Sequence, residues 1–338
     1  MRIETNVNLK AYNTFGLPAR AGTLIRIYND ADIDALLAHS VYGPAPKFVL
    51  GGGSNLVLSG APQAMVLKVE IMGRRLLREE AGSWIVEAGA GEDWPDLVSW
   101  TLDQGWPGLE NLALIPGTVG AGPVQNIGAY GVELQARFDS LDGVDLRDGR
   151  RFTLDAAACR FGYRDSIFKR ELAGRCLITR VRLRLPKPWR PVLDYPDVRR
   201  ECLAGASPQP DARRIFDVVC ALRRAKLPDP KQLGSAGSFF KNPVVNRSQL
   251  EAIKASDPAC VCYPLPDGQA KLSAGRLIEA CGWKGRRMGR AAVYAKQALV
   301  LVNEGAATGQ EVLALAAAIQ DSVYDRFGIR LEIEPVVL

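Results

Sequence analysis

Apolar residues recur along the chain with two periods, and the switches between them divide it into elements. Lys47 to Leu50 and Ser83 to Ala90 read as strands, and the first 70 residues alternate short strands with one helix in βα fashion. That helix is the stretch Asp32 to Ser40, where Ile33, Leu36 and Leu37 mark the buried face. Trp94, Leu97, Val98, Thr101 and Leu102 fall at helical spacing until Gly105 stops the helix. Residues 106 to 131 keep no period and are rich in glycine, so they read as loop. Leu177, Thr179, Val181, Leu183 and Leu185 then alternate with Arg180, Arg182 and Arg184, as in a strand with one buried face. Pro186, Pro188, Pro191 and Pro196 follow and mark a domain boundary.

Beyond the prolines, Asp211 is placed to cap a helix whose Ile215, Val218, Val219 and Leu222 form one stripe, ended by Pro228. Residues 272 to 282 predict another helix, and Ala298 to Val302 a buried strand. Thr308 and Glu311 form a capping-box pattern ahead of Val312, Leu315, Ile319, Val323 and Phe327, and Gly328 ends that helix. The last strand alternates, with Ile329, Leu331 and Ile333 inward and Arg330, Glu332 and Glu334 on the other face. No repeat interrupts this order. The fold class is α+β, in two or three units.

Composition narrows the function classes. With 338 residues, 47% apolar and 24% charged, the chain is a globular protein of two or three domains. No apolar run is long enough for a transmembrane helix, and Met1 to Asn8 lacks the apolar core of a secretion signal, so a cytoplasmic location is expected. Seven cysteines, an odd number with apolar neighbours, read as free buried thiols. Cys260-Val-Cys262 has no second pair and no nearby histidine, which is poor zinc spacing, and no metal is expected. The single histidine, His39, sits late in an amphipathic helix and reads as structural, which removes histidine-based triads and general bases. Net charge is 43 − 37 = +6, which suits anionic partners without naming one. Arg180, Arg182 and Arg184 read as a solvated strand face, since no aromatic residues interleave with them as in a single-strand nucleic-acid platform.

Four segments carry chemistry. Leu50-Gly-Gly-Gly-Ser-Asn-Leu56 follows a strand, and three glycines let successive N–H groups converge on an anion or simply make a tight turn. It matches neither the dinucleotide fingerprint nor the P-loop. Ile115 to Gly131 holds five further glycines, with Thr118, Gln125 and Asn126 among them. Such a run is costly to order unless something binds there, and two glycine loops are suited to gripping a diphosphate from both sides. Arg160-Phe-Gly-Tyr-Arg-Asp-Ser166 offers Arg164 either as the ion-pair partner of Asp165 or as a fixed cation for a substrate carboxylate. In Gly234-Ser-Ala-Gly-Ser-Phe-Phe-Lys-Asn-Pro243, Ser238 follows a glycine but lacks an activating histidine, leaving a proton-donating serine or a loop cap.

Read in order, Asn13-Thr-Phe-Gly, Leu50-Gly-Gly-Gly-Ser-Asn, Ile115 to Gly131, Phe161-Gly-Tyr-Arg-Asp-Ser, Lys226-Leu-Pro-Asp-Pro, Gly237-Ser-Phe-Phe-Lys-Asn-Pro and Gln297-Ala-Leu-Val-Leu-Val-Asn303 resemble the UDP-N-acetylenolpyruvoylglucosamine reductase family. The resemblance spans almost the whole chain, and Tyr263, in Cys262-Tyr-Pro-Leu-Pro-Asp-Gly268, looks like the tyrosine loop of the longer, type I members. It implies an FAD-binding domain of the vanillyl-alcohol-oxidase (PCMH) type plus a family-specific α+β substrate domain. The expected division is 1–66 and 67–200 for the two parts of the FAD module and 201–338 for the substrate domain.

The resemblance further implies bound FAD, NADPH as co-substrate, and a UDP-sugar enolpyruvyl ether as substrate, in a monomer without nucleic-acid or membrane partners. Arg164 and Glu334 are then expected to stabilise enolate charge and Ser238 to donate a proton. Cofactor contacts are expected from Gly51, Gly52, Gly53, Ser54, Asn55, Gly117, Thr118, Gly120, Gln125, Asn126, Gly128, Tyr130, Gly131 and Arg223. Substrate contacts are expected from Tyr163, Tyr195, Lys226, Gly237, Asn242, Tyr263, Lys284 and Gln297. Another flavin oxidoreductase of the same fold and a basic nucleic-acid-binding protein are the alternatives. Two positions depart from the family pattern. Pro335 stands where the family has valine, so pairing should end or bulge there and the choice of Glu334 over Glu332 stays open; Tyr294 stands where many relatives carry histidine.

Overall fold

A computed structural model describes residues 1–204 and 210–338. By their internal contacts these residues form two units: Met1–Val7, Ala21–Gly52 and Gln63–Ala225 make the first, and Asn8–Arg20, Gly53–Pro62 and Lys226–Leu338 the second.

The first unit opens with a four-stranded sheet in the order Arg2–Asn8, Arg20–Ile27, Met65–Val69, Lys47–Leu50. Met65–Val69 is parallel to both neighbours, with Leu24 opposite Val66 and Lys47 opposite Met65. Parallel neighbours need a crossover. The helix Asp30–Ala38 supplies one, its first turn capped by Asn29, whose side chain accepts from the Asp32 N–H at 3.0 Å. His39 ends this helix, and its Nδ1 accepts from the Val41 N–H at 3.2 Å, a structural role as expected.

An antiparallel sheet of five strands follows, with Cys176–Pro186 at its centre between Phe138–Asp145 and Ser83–Gly89. Leu177, Thr179, Val181, Leu183 and Leu185 are buried on one face. On the other face the arginines are more than solvated. Arg180 pairs with Asp30 at 3.0 Å, Arg182 with Glu87 at 2.9 Å and with Asp142, and Arg184 with Glu80 at 2.6 Å and with Asp139. Each cation is matched by a carboxylate of the sheet or of the helix Asp30–Ala38, which leaves little for a nucleic-acid backbone.

One core runs through this unit and holds Val86, Leu97, Val98, Leu109, Val181 and Leu183. Val198 and Cys202 of the helix Pro196–Leu203, and Ile215, Val218 and Val219 of the helix Ala212–Lys226, bury themselves in the same core. The prolines therefore end a strand without ending a unit. Contacts divide the chain at Ala225/Lys226 and send 8–20 and 53–62 to the second unit, unlike the expected 1–66, 67–200 and 201–338.

The second unit is built on a sheet in the order Gly234–Ser238, Val300–Asn303, Ala291–Val293, Arg287–Met288, all neighbours antiparallel. The helix Gly309–Phe327 starts at the expected capping box, with Thr308 N–H donating to Glu311 at 2.8 Å, and stops at Gly328, whose φ is 67°. Tyr294 packs on a small cluster of Ala292, Val300 and Val302. The C-terminal segment departs from expectation. Ile333 makes an isolated bridge to Phe240, Glu334 N–H donates to the Phe239 carbonyl at 2.9 Å, and Lys241 N–H donates to the Glu332 carbonyl at 2.9 Å. Pairing with 239–241 stops at Pro335, which has no N–H, and Val336–Val337 pairs in parallel with Leu56–Val57 instead. The proline is a switch point between two partners.

Among the described residues no helix is long and apolar enough to cross a membrane, no group of side chains suits a metal ion, and all seven cysteines are free.

Candidate functional site

In the first unit the two glycine segments touch. An added Cβ on Gly52 would lie 2.7 Å from Gly117 Cα, one on Gly51 would lie 2.5 Å from Thr118 Oγ1, and one on Gly120 would lie 2.5 Å from the Ala90 Cβ. These distances are below van der Waals contact, so the glycines are required by the approach of protein to protein. The entropy argument from sequence attributed them to a ligand; the fold accounts for them first. What the approach leaves is two lengths of backbone side by side. Lys68 Nζ donates to the Gly51 carbonyl at 2.7 Å, and burial lowers its affinity for the proton below the ordinary lysine value. Sequence analysis missed this residue, although a lone cation in the apolar strand Met65–Val69 was a signal.

A second cation, Arg223, lies half-buried in the helix Ala212–Lys226 beside Tyr130 of the second glycine segment, and desolvation weakens its charged form. It makes no ion pair among the described residues. An uncompensated guanidinium that has lost water is a receptor for an anion or an electron-rich ring edge. Backbone amides of two glycine segments, Lys68 and Arg223 thus fit the anionic and polar parts of FAD. Gln125 ends the 3-10 helix Val119–Gln125, and Tyr130, with φ of 48°, stacks edge-on to Tyr195 at 5.0 Å between centroids. Gly131 is exposed, with φ of 86°.

Arg164 sits on a two-residue turn closed by Gly162 N–H to Asp165 O at 3.0 Å and Asp165 N–H to Gly162 O at 3.2 Å, with its own φ at 55°. Its Nη2 donates to the Gly128 carbonyl at 2.9 Å, and its guanidinium carbon lies 5.3 Å from the Tyr163 ring centre. Asp165 pairs with Arg170 at 3.3 Å. Asn126, expected to contact the cofactor, has its side chain tied within the protein. It is fully buried, its Nδ2 donates to Glu133 at 3.0 Å and to the Gly162 carbonyl at 3.1 Å, and its Oδ1 accepts from Gln135 N–H at 3.0 Å. Both amide hydrogens are spent inside the protein.

The second unit holds the other predicted groups. Gly53 has φ of 63°, and its carbonyl accepts from Thr14 N–H at 3.0 Å; Ser54 follows it, and Asn55 Nδ2 donates to the Glu334 carbonyl at 3.3 Å. The triple-glycine run is therefore divided between the units, at Gly52/Gly53. Ser238 ends the strand Gly234–Ser238 after an irregularity in register, where Gly237 takes φ of 70°. Its hydroxyl makes no hydrogen bond among the described residues. The next residue, Phe239, accepts from Glu334 N–H, so the ladder of 239–241 with 332–334 sets Ser238 and Glu334 on adjacent strands. It also separates the two glutamates. Glu332 is exposed and paired with Lys241, whereas Glu334 is 8% exposed.

The remaining substrate candidates differ in their surroundings. Lys226 is the last residue of its helix, and Tyr263 is 42% exposed on the short strand Cys262–Pro264. Asn242 Oδ1 accepts from Ala274 N–H at 2.9 Å, Gln297 Oε1 from Leu299 N–H at 3.4 Å, and Lys284 pairs with Glu279 at 3.0 Å.

Comparison with known proteins adds independent findings. A model of the "FAD binding domain" matches residues 24–155, and a model described as "UDP-N-acetylenolpyruvoylglucosamine reductase, C-terminal domain" matches residues 229–338. A UDP-N-acetylenolpyruvoylglucosamine reductase of Azoarcus sp. (strain BH72) is 58% identical over 99% of this chain and 98% of its own length. That of Burkholderia orbicola (strain MC0-3) is 58% identical over 98% and 95%. A crystal structure of UDP-N-acetylenolpyruvylglucosamine reductase from Thermus caldophilus aligns over 100% of this chain and 99% of that one, with a TM-score of 0.70 at 26% identity.

Proposed function

The chain belongs to the UDP-N-acetylenolpyruvoylglucosamine reductase family, and from that membership we propose that it is the FAD enzyme that reduces the enolpyruvyl ether of a UDP-sugar with NADPH in peptidoglycan precursor synthesis. The observation that carries the assignment of roles is the 239–241/332–334 ladder, which brings the strand end that carries Ser238, whose hydroxyl makes no hydrogen bond among the described residues, alongside the segment that carries the buried Glu334. The proposal includes action as a monomer in the cytoplasm.

FAD, when bound, would supply the hydride-transfer chemistry between NADPH and the terminal enolpyruvyl carbon. Gly51, Gly52, Gly53, Ser54, Asn55, Gly117, Thr118, Gly120, Gln125, Tyr130, Gly131 and Arg223 would hold FAD. Arg164 binds the substrate carboxylate and stabilises the negative charge that spreads into it as hydride adds. Glu334 adds a hydrogen bond to the same charge and must hold a proton to do so. The Ser238 hydroxyl gives its proton to the carbon adjacent to the carboxylate, breaking O–H and forming C–H, and solvent returns a proton to the oxygen. Tyr163, Tyr195, Lys226, Gly237, Asn242, Tyr263, Lys284 and Gln297 hold the UDP-sugar.

Ser238→Ala tests this. Flavin reduction by NADPH involves no substrate carbon and should stay within about twofold, while substrate reduction should slow by about 10² to 10⁴, the loss of a positioned general acid. A lost backbone cap would instead cost about 1 kcal/mol of stability and little chemistry. Equal slowing of both half-reactions in stopped flow, or near-normal substrate reduction, removes Ser238 from the mechanism.

A further inference from the structure

The segment that carries Arg164 is tied at three points to the hairpin formed by the second glycine run. Asn126 Nδ2 donates to the Gly162 carbonyl at 3.1 Å, Arg164 Nη2 donates to the Gly128 carbonyl at 2.9 Å, and Ser166 Oγ donates to the Val124 carbonyl at 2.6 Å. The first tie reaches the backbone of the turn, the second reaches the guanidinium itself, and the third anchors the exit. Gly128 pairs with Glu133 across the hairpin, and Asn126 also donates to Glu133 while accepting from Gln135 N–H. Asn126 therefore closes the hairpin and grips the Arg164 turn with one side chain.

Backbone strain points the same way. Asn126 and Arg164 both take left-handed conformations, with φ of 45° and 55°. Such positions cost a non-glycine residue energy and persist where surrounding bonds over-determine them. Gly128 is equally constrained, since an added Cβ would lie 2.9 Å from Glu133 Cγ and 3.2 Å from Arg164 Nη1. The side chain of Glu133 and the guanidinium of Arg164 thus pack against one glycine.

We propose that Asn126 is a positioning residue for Arg164: by fixing the Gly162 carbonyl to the 126–135 hairpin it holds the guanidinium where substrate charge develops. The proposal rests on the assignment of Arg164 to the substrate carboxylate. A cation that stabilises developing charge acts only if it is in place beforehand, and displacement of about 1 Å costs about 10²-fold in rate.

The test is a double-mutant cycle on the FAD-loaded enzyme with Asn126→Gly, Arg164→Met and the pair. Glycine keeps the left-handed backbone and removes only the side chain. Asn126→Asp, which also tolerates that conformation and keeps the acceptor for Gln135, loses both donated bonds and serves as the second variant. Each single variant should slow substrate reduction by about 30- to 100-fold, with FAD retention and flavin reduction by NADPH within about twofold. In the Arg164→Met background the Asn126 change should cost less than about threefold more. Substrate binding to the oxidised enzyme, followed by the change in flavin absorbance, should weaken in Asn126→Gly and Arg164→Met alike. Multiplicative loss in the double variant, loss of flavin, or equal slowing of both half-reactions overturns the positioning role. If Arg164→Met alone leaves substrate reduction intact, the assignment of Arg164 fails, whatever Asn126 does.

Discussion

Gly120→Ala separates two reasons for glycine in the segment from Ile115 to Gly131. The added methyl would lie 2.5 Å from the Ala90 Cβ, 3.0 Å from its Cα and 3.2 Å from its carbonyl oxygen. Ordinary carbon–carbon contact is about 3.5 to 4.0 Å, so the chains must separate by roughly 1 Å or more. Neither side has a rotamer to turn away, because both obstacles are backbone or a first side-chain atom. Separation also stretches the Gly120 N–H to Ala90 O hydrogen bond, now 3.0 Å. Overpacking of this kind costs about 1 to 3 kcal/mol, and for a folding unit of this size that lowers Tm by about 2 to 12 °C. The measurement is thermal unfolding of the apoprotein and of the FAD-loaded protein, with flavin affinity from fluorescence titration. The apoprotein should lose stability by itself. An apoprotein of unchanged Tm with weakened FAD affinity would refute the packing argument, because glycine would then serve only the approach of the cofactor.

Two further outcomes follow from the charges and thiols. The Glu80 carboxyl is held down to about 2, from an ordinary 4.5, by hydrogen bonds from Arg78, Arg184 and Ser83. A depressed carboxylate contributes stability above its unfolded value that is lost as pH falls through the folded one; Glu80→Gln should therefore be less stable than wild type at pH 6, and the difference should shrink between pH 4.5 and 2 in acid titrations followed by circular dichroism. A difference that grows towards low pH would contradict the sign. Burial pushes the Cys159 and Cys176 thiols up to about 12, so neither should react with a thiol reagent at pH 8 until the protein unfolds, and peptide mapping of labelled native protein should leave both unmodified. Labelling of either at the rate of a free thiol would show that the first core opens locally.

Periodicity and capping made much of the chain legible, because these signals are local. The helices Trp94–Asp103 and Gly309–Phe327, the caps at Asp211, Thr308 and Gly328, and the buried face of Cys176–Pro186 all depend on residues within a few positions of one another. The segments with chemistry were legible as segments, since glycine runs and isolated polar residues stand out from an apolar background. Pro335 was readable as an end to pairing, because a missing N–H is a property of the residue itself.

Tertiary structure alone decided how those pieces share space. The prolines after Leu185 look like a boundary, yet the helices beyond them complete the first core, a matter of which apolar stripe finds which partner. Glu332 and Glu334 are two carboxyls on an alternating stretch, and only the ladder with 239–241 exposes one and buries the other. Asn126 looked like a ligand group because amides in glycine loops have free valences in an extended chain. Folding spends its valences on Glu133, Gly162 and Gln135. Hydrogen-bond capacity is written in the residue type, but the partner that consumes it is chosen by chain segments far apart in sequence, and no local pattern records that choice.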